Sequence, residues 1–480
     1  SSDPDAGDVL TYTWTGSFGT ATGVTPTVAL PFGDTTVTLT VSDDLVGGSG
    51  ASGTASIDLR INPPNTPPQV AITTPPACPV DLEAGQELAL TATATDAEDG
   101  ALTGAWRESV SGTRASGNST TFSSTALGKH QLTFSATDSL DATSDVTCDV
   151  FVIAAGGSRA DLFPDTSGIN GSLAGGNDTI RFVGADPGGN TLIGNDQGLS
   201  VFDATDALID TYSGADLGVS GGAAVVRAAA ATSDALFVAA DQGLARCDYV
   251  AGVASNCVEL SGEQFGAVAA GGSGPTLLAG AADNGLYVAS LTGATVDADM
   301  LFDSGNSNLP TDQMNDVLFV GTTLYVATGD GLCIANDLAG ALAGPGNIDL
   351  CSQILDGDNS ILPDNEVRAL SAAQGVLWIG TADGLARYDI AAGSITAVYD
   401  RDAGLADDQV NDVLVDADGI VWVAGDNGVS RLDPATGAVT ILTATDFGLP
   451  GGTNFNAVFI DAGGIKWFGT DSGVVRYEGV

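Results

Sequence analysis

Aspartate is the residue type that offers most chemistry in this chain, because Asp and Glu number 60 against 14 Lys and Arg. Dense carboxylate oxygens suit Ca²⁺, a hard cation. The candidate calcium ligands cluster at strand ends in the N-terminal third: Asp3, Asp5, Asp43, Asp96, Glu98, Asp99 and Asp138. Calcium is the one cofactor that the sequence predicts. The competing interpretation is that these aspartates are turn formers that bind their own backbone.

A second set of aspartates recurs through residues 156–480. Strand direction reverses at each turn of an antiparallel sheet, so the turn after a second strand and the loop into a first strand open on one face. We expect that face to gather Asp383, Asp408, Asp412, Asp426 and Asp471, with Asp196, Asp241, Asp283, Asp312, Asp316, Asp330 and Asp364. These carboxylates would bind cations or a cationic partner, unless they only form turns.

Catalytic motifs are scarce. His130 is the single histidine, and we expect it to be an exposed strand residue. The absence of histidine from residues 156–480 excludes Ser-His-Asp triads and His-ligated zinc there. Paired carboxylates could hydrolyse glycosides, but aspartate is so frequent that such pairs arise by chance. We therefore predict a protein that is not an enzyme, with a polysaccharide-active enzyme as the weakest alternative.

The net charge of −46 excludes nucleic-acid binding, because an acidic surface repels a phosphate backbone. No apolar run reaches the ~18–20 residues that span a bilayer. The sequence starts at Ser1 without a signal-like segment, so we expect an internal or processed start.

Alternating Thr- and Val-rich stretches between frequent turns predict an all-β protein. A Pro-rich joint at residues 62–68 and a Gly/Ser stretch at residues 154–158 divide the chain into parts 1–62, 63–155 and 156–480. Residues 3–45 and 96–140 repeat one pattern, in which an Asp-rich turn precedes a strand containing Trp14 or Trp106. We expect both tryptophans to lie in cores.

The third part is an internal repeat of strand, Asp/Asn-Gly turn and strand. Its turn glycines are residues 198, 243, 285, 331, 384, 428 and 473. Seven units of four short strands predict a seven-bladed β-propeller. The last unit stops after its third strand, so we expect the segment Ala160–Phe163 to supply the outer strand and close the propeller. Trp378, Trp422 and Trp467 recur at one blade position, which indicates packing between blades, with sugar stacking as the alternative.

Two resemblances follow from these residues. Residues 1–153 resemble the PKD-type and Ig-like β-sandwich modules of bacterial extracellular proteins. The stretches Asp416–Asp433 and Leu405–Val413 resemble the propeller repeat of periplasmic two-component sensor proteins, in which the propeller senses extracellular ligands. The first module lacks about thirty residues that precede Asp96 in the second. We expect upstream sequence, or a strand from a neighbouring subunit, to complete it.

Six cysteines fall in pairs within single modules, which predicts three local disulfides: Cys78 with Cys148, Cys247 with Cys257, and Cys333 with Cys351. Disulfides imply an oxidising compartment, so we expect an extracellular or cell-surface protein. Free buried thiols are the alternative.

The leading functional hypothesis is adhesion, or a structural subunit of a surface assembly or filament that forms through the incomplete first sandwich. Its partners would be a protein or a glycan at the cell surface. The alternative is a ligand-sensing or glycan-binding propeller.

Overall fold

The computed structural model describes residues 9–43, 51–176, 179–219, 224–271, 276–292, 295–343 and 348–480. Its contacts divide into two compact units. The first holds Ser1–Val70, Thr93–Thr103 and Ser135–Ser144, and the second holds Ala71–Ala92, Gly104–Phe134 and Asp145–Val480. The predicted all-β fold is confirmed, and the predicted boundaries at residues 62 and 155 stay a prediction.

The first unit contains one antiparallel sheet of order β2-β1-β3-β4. Its strands are β1 (Thr11–Gly16), β2 (Gly19–Thr22), β3 (Gly33–Ser42) and β4 (Ser52–Ile61). Residues 9–43 and 51–61 form no second sheet to cover it. Trp14, predicted to lie in a core, is therefore only half-buried, and its Nε1 donates to Gly23 O at 3.0 Å.

The second module contains two sheets, of order β10-β9-β12-β13-β6 and β11-β7-β5, with β8 paired to β7. Their strands are β5 (Gln69–Thr74), β6 (Val80–Glu83), β7 (Leu88–Asp96), β8 (Gly100–Ala101), β9 (Ala105–Glu108), β10 (Arg114–Ser116), β11 (Ser119–Phe122), β12 (Gly128–Thr137) and β13 (Thr143–Ile153). Trp106 is 4% exposed and packs on Phe134, as predicted for a core residue. The resemblance to PKD-type modules stays a prediction.

Seven sheets follow along the chain, six of them four-stranded and the last three-stranded in the described residues. The first three sheets are β14 (Ile180–Ala185), β15 (Thr191–Asn195), β16 (Leu199–Phe202), β17 (Leu208–Tyr212); β18 (Val226–Ala231), β19 (Ala235–Ala240), β20 (Gly243–Val250), β21 (Val253–Ser261); and β22 (Phe265–Gly271), β23 (Thr276–Ala282), β24 (Gly285–Thr292), β25 (Thr295–Phe302).

The other four sheets are β26 (Met314–Val320), β27 (Thr323–Thr328), β28 (Gly331–Ala335), β29 (Gln353–Leu355); β30 (Val367–Ala373), β31 (Val376–Thr381), β32 (Gly384–Asp389), β33 (Ser394–Tyr399); β34 (Asp412–Val415), β35 (Val421–Gly425), β36 (Gly428–Asp433), β37 (Ala438–Leu442); and β38 (Phe455–Ile460), β39 (Lys466–Thr470), β40 (Gly473–Tyr477). Two short helices lie outside the sheets, α1 (Ser167–Asn170) and α2 (Leu338–Ala343).

The seven sheets form a propeller. The first strand of each sheet contacts the first strand of the next, and β38 of the last sheet contacts β14 of the first. Apolar side chains fill the space between neighbouring sheets: Trp467 packs with Ile180 across the seventh and first sheets, and Trp378 packs with Val410 across the fifth and sixth. Trp422 is 1% exposed as well. The predicted packing of these tryptophans is confirmed.

The closing segment differs from the prediction. Arg159–Leu162 is a 3₁₀ helix instead of an outer strand, and the seventh sheet has three strands in the described residues. The carboxylate of Asp161 accepts the Ser158 N–H and hydroxyl, which favours the helical turn. The segment still lies beside the last strand, because Glu478 N donates to Leu162 O at 2.9 Å. Closure therefore depends on hydrogen bonds and packing, without a full strand ladder.

All three predicted disulfides are present, and together they place the protein in an extracellular, oxidising compartment. No helix in the described ranges has the length and apolar character needed to cross a membrane.

Candidate functional site

One backbone feature recurs at the start of the inner strands. In six sheets the pairing of the first two strands shifts register after the first residue, which marks a β-bulge. A bulge leaves one residue unpaired and re-aims its side chain. We call the bulge residues, with Asn411 at the same place in the sixth sheet, the mouth ring: Arg181, Arg227, Gly266, Asn315, Arg368, Asn411 and Asn456. All seven line one cavity of about 680 Å³.

The asparagines of the mouth ring join neighbouring sheets. Asn315 Nδ2 donates to Val367 O at 2.6 Å, and Asn411 Nδ2 donates to Phe455 O at 3.0 Å. Asn456 Nδ2 donates to Ile180 O at 3.1 Å, from the seventh sheet to the first. Each amide binds the carbonyl of the residue that begins the first strand of the next sheet. The mouth ring is therefore part of the closure of the propeller.

The arginines of the mouth ring are each held by an acid. Arg181 Nε donates to Asp196 Oδ1 at 2.8 Å, and Arg227 pairs with Asp241 through two nitrogens. Arg368 Nε donates to Glu366 Oε1 at 3.1 Å. These arginine side chains are 25–35% exposed, so solvent and ligand can reach them. The ion pairs orient the guanidinium groups more than they stabilise the fold.

Two of the predicted face carboxylates contact this ring. Asp426 and Asp471 accept hydrogen bonds from Asn411 at 2.8 Å and Asn456 at 2.9 Å. Asp408 accepts the Arg401 N–H at 2.8 Å in a loop, and Asp383 occupies a turn in which its own N–H donates to Thr381. None of these four lines the 680 Å³ cavity, whose acids are Asp283 and Glu366. Asp283 is one of the predicted face carboxylates. The cavity wall also carries three of the twelve arginines of the chain, which the sequence analysis did not single out.

The channel below the mouth ring has a second layer of side chains, which line a cavity of about 420 Å³. In this layer Asp316 and Asp412 are the ionisable members; the others are Phe182, Ala228, Ala267, Ala369 and Ala457. Asp316 accepts the Val317 and Leu370 N–H groups, both at 2.8 Å. Asp412 accepts the Val413 N–H at 2.8 Å and the Val458 N–H at 2.7 Å. Each carboxyl group thus joins its sheet to the next one.

Burial raises the pKa of both carboxyl groups to about 7. The negative charge of Asp412 raises the pKa of Asp316 further, and the backbone N–H groups oppose the shift in both. Near neutral pH the channel therefore holds carboxyl groups that gain or lose a proton easily.

The predicted calcium ligands among the described residues act as hydrogen-bond acceptors within the first unit. Asp96 Oδ1 accepts the Glu98 and Asp99 N–H groups at 2.8 Å, and Asp99 Oδ2 accepts the Ser139 N–H at 2.7 Å. Asp138 Oδ1 accepts the Leu140 and Ala142 N–H groups, and Asp43 Oδ1 accepts the Ala51 N–H. Asp3 and Asp5 lie outside the described residues. Within the described ranges, no group of three or more His, Cys, Asp or Glu side chains is arranged to hold a metal ion.

His130 corrects another expectation, because it is 2% exposed instead of lying on the surface. Its Nδ1 contacts Glu108 Oε1 and its Nε2 contacts Ala126 O, both at 2.8 Å. Burial would raise the pKa of Glu108, but hydrogen bonds from His130, Ser111 and the Val110 N–H lower it to about 2. The two residues line a cavity of about 560 Å³ in the second module. They satisfy each other there, so we regard the mouth ring as the better site.

No family model matches this chain, and no curated protein matches it. Among solved structures, the extracellular domain of a hybrid two component system from B. thetaiotaomicron aligns with 17% identity and a TM-score of 0.51, over 64% of this chain and 40% of that one. A second such domain from B. thetaiotaomicron aligns with 19% identity and a TM-score of 0.48, over 64% and 39%. Streptogramin B lyase aligns with 11% identity and a TM-score of 0.48, over 64% and 95%.

This chain spans about 40% of the length of the two sensor domains. At these identities the likeness concerns the fold alone: the chain is an extracellular all-β protein with a β-propeller.

Proposed function

We propose that the protein is an extracellular recognition module, not an enzyme, and that its mouth ring binds a hydroxyl-rich ligand, a glycan. The observation that carries the proposal is the convergence of six bulge residues and the equivalent Asn411 on one open cavity. Six of the seven side chains are Arg or Asn, and acids stand beside five of them. A sugar hydroxyl both donates and accepts hydrogen bonds, so a wall that alternates donors and acceptors suits it.

The mouth ring is also rigid, which favours specific binding. Each of its arginines has an acid partner and each of its asparagines has a backbone carbonyl partner, so few rotamers remain to be fixed when a ligand binds. Side chains on strands, held by second partners, keep the geometry that recognition needs.

Gly266 offers a sharp test, because it is the member of the mouth ring without a side chain. Its backbone φ is ordinary, and an added Cβ would meet its nearest neighbour, Asn315 O, at 3.5 Å. Gly266→Leu should therefore fold and fill the mouth. Gly168→Leu is the matched control, because a Cβ there has no atom within 4 Å.

The experiment is a glycan array followed by titration of the best ligand. The proposal expects saturable binding by the wild type and by Gly168→Leu, and at least tenfold weaker binding by Gly266→Leu. Equal binding by both variants would indicate that the ligand binds outside the mouth. Turnover of a bound polysaccharide would make the protein an enzyme and contradict the proposal.

Adhesion or assembly remains a second candidate, and the first sheet is the observation that favours it. The apolar side chains of its strands are poorly covered: Ile57 is 56% exposed, and Val37 is the one buried hydrophobic residue among residues 9–43 and 51–61. The long strand β4 is an edge strand in this sheet. Ordered fibres seen by electron microscopy of the purified chain would support assembly through this module; a monomer at all concentrations would oppose it.

A further inference from the structure

The two layers of the channel are consecutive residues of the chain. Asp316 follows Asn315, and Asp412 follows Asn411. The cavities of the mouth and of the channel share the arginines and asparagines of the mouth ring, so they are continuous. A ligand held by the mouth ring therefore has Asp316 and Asp412 directly beneath it.

The charged groups around the two aspartates are the three arginines of the channel and the acids at the mouth. Arg181 on β14, Arg227 on β18 and Arg368 on β30 line the same channel. At the mouth above, Asp283 and Glu366 are the acids that line the cavity. The inner strands β22 and β38 bring Gly266, Ala267, Asn456 and Ala457, which carry no charge. Asp196, Asp241 and Glu366 pair with these arginines. Asp426 and Asp471 stand beside Asn411 and Asn456. Three guanidinium groups, each paired with an acid, thus stand above two carboxyl groups.

The hydrogen bonds that Asp316 and Asp412 already make determine what each protonation state can offer a ligand. Both oxygens of Asp316 and of Asp412 already accept a backbone N–H. When a carboxyl group is neutral, its O–H cannot be directed at these backbone N–H donors. The O–H is directed into the channel, where it can donate to an acceptor. The ionised group has no proton to donate, and it repels a negative charge above it.

We propose that the ligand bound at the mouth carries a carboxylate group, which Arg181, Arg227 and Arg368 bind, and that Asp316 and Asp412 take up protons from solvent as it binds. The proposal rests on the proposed function and names the ligand class of the same site. A carboxylate accepts from both the guanidinium groups above and the carboxyl O–H groups below. A neutral sugar gains less from the same protons.

The consequence is a binding affinity that depends on pH. Both free carboxyl groups have a pKa of about 7, and a bound anion favours their protonated forms. Affinity for the anion therefore falls as pH rises through 7. One proton taken up weakens binding about tenfold from pH 6 to pH 8, and two protons weaken it about a hundredfold.

The test compares D-glucuronate with D-glucose, which differ only in the oxidation of one carbon, by NMR titration of the full chain between pH 5.5 and 8.5. We expect glucuronate binding to weaken at least tenfold from pH 6 to pH 8, and glucose binding to change less than threefold. Asp412→Asn and Asp316→Asn should flatten the glucuronate curve. Asp297→Asn, on the exposed outer strand β25, is the control and should leave it unchanged.

Calorimetry of the wild type, in buffers of different ionisation enthalpy, counts the protons directly and needs no variant. Uptake of one to two protons per glucuronate at pH 7.5 supports the proposal, and zero uptake overturns it. Equal, pH-independent binding of both sugars also overturns it, yet leaves the proposed function standing. Absence of any glycan binding would contradict both this proposal and the proposed function.

Discussion

Lys129→Met is the substitution whose effect follows most directly from the contacts. The Lys129 side chain is 4% exposed, and its Nζ lies 2.8 Å from Asp446 Oδ2 and 3.1 Å from Asp149 Oδ2. Methionine keeps the volume and removes the charge, so both carboxylates lose their cation. Breaking a buried pair in this way costs about 3–5 kcal/mol. We expect about 3 kcal/mol, because Asp446 and Asp149 keep 13% and 30% exposure and are partly solvated.

The assay is urea unfolding followed by the fluorescence of the buried propeller tryptophans. A loss of about 3 kcal/mol moves the midpoint by roughly 1 M for a slope of about 3 kcal/mol/M. Arg387→Met is the control, because Arg387 Nη1 contacts only a neutral hydroxyl, that of Thr396, in the side-chain bonds described, and should change stability by less than about 1 kcal/mol. The double variant Lys129→Met with Asp446→Asn should regain part of the loss. A midpoint shift of Lys129→Met no larger than that of the control would refute the reasoning.

Four further predictions concern stability. Folding raises the pKa of Asp316 and Asp412 from 3.8 to about 7, so the stability that these groups contribute is full below pH 4 and is lost as pH rises through 7. Urea unfolding at pH 5.5 and 8.5 measures this loss of stability, and Asp412→Asn should reduce the difference in stability between the two pH values. Folding lowers the pKa of Glu108 from 4.5 to about 2, so its contribution is present above pH 4.5 and is lost as pH falls through 2; Glu108→Gln should lose about 3 kcal/mol at pH 7 and less at pH 3, by thermal melts. Replacing Cys333 and Cys351 by Ser opens a disulfide with a sequence separation of 18 and should lower stability by about 2–4 kcal/mol. The calcium prediction requires the melting temperature to fall when EDTA is added; an unchanged value indicates that Asp96, Glu98, Asp99 and Asp138 are turn formers.

The repeat was predictable because each sheet is a local unit. Hydrophobic alternation and the Asp/Asn-Gly turn mark its strands. Six of the seven predicted turn glycines are the first residue of a third strand, and Gly198 immediately precedes one. The disulfides followed for the same reason, since each pair lies within one module.

Features that depend on distant parts of the chain were not predictable. The backbone N–H groups of Glu478 and Val480, just after the last strand, donate to Leu162 O and Leu127 O, far earlier in the chain. The helix at Arg159–Leu162 is an exception, because its Ser158–Asp161 cap is local. His130 is buried in contact with Glu108, 22 residues earlier in the chain. The sequence around these residues does not indicate such contacts.

The mouth ring has a signature in the sequence that the predictions did not include. In every repeat an apolar residue precedes the bulge position, as in Val226-Arg227, Val367-Arg368 and Phe455-Asn456. A polar or glycine residue inserted after the first apolar residue of seven related strands breaks the period of two, which is what a bulge does. Aspartates are more numerous, but three arginines at the equivalent position line the proposed site.

The most direct test of the central claim is an experimental structure of the propeller with the strongest ligand from the glycan array. The account predicts that the ligand lies in the cavity of about 680 Å³, in contact with Arg181, Arg227 or Arg368. A ligand bound to the outer strands or to the second module, with the mouth ring unoccupied, would contradict it.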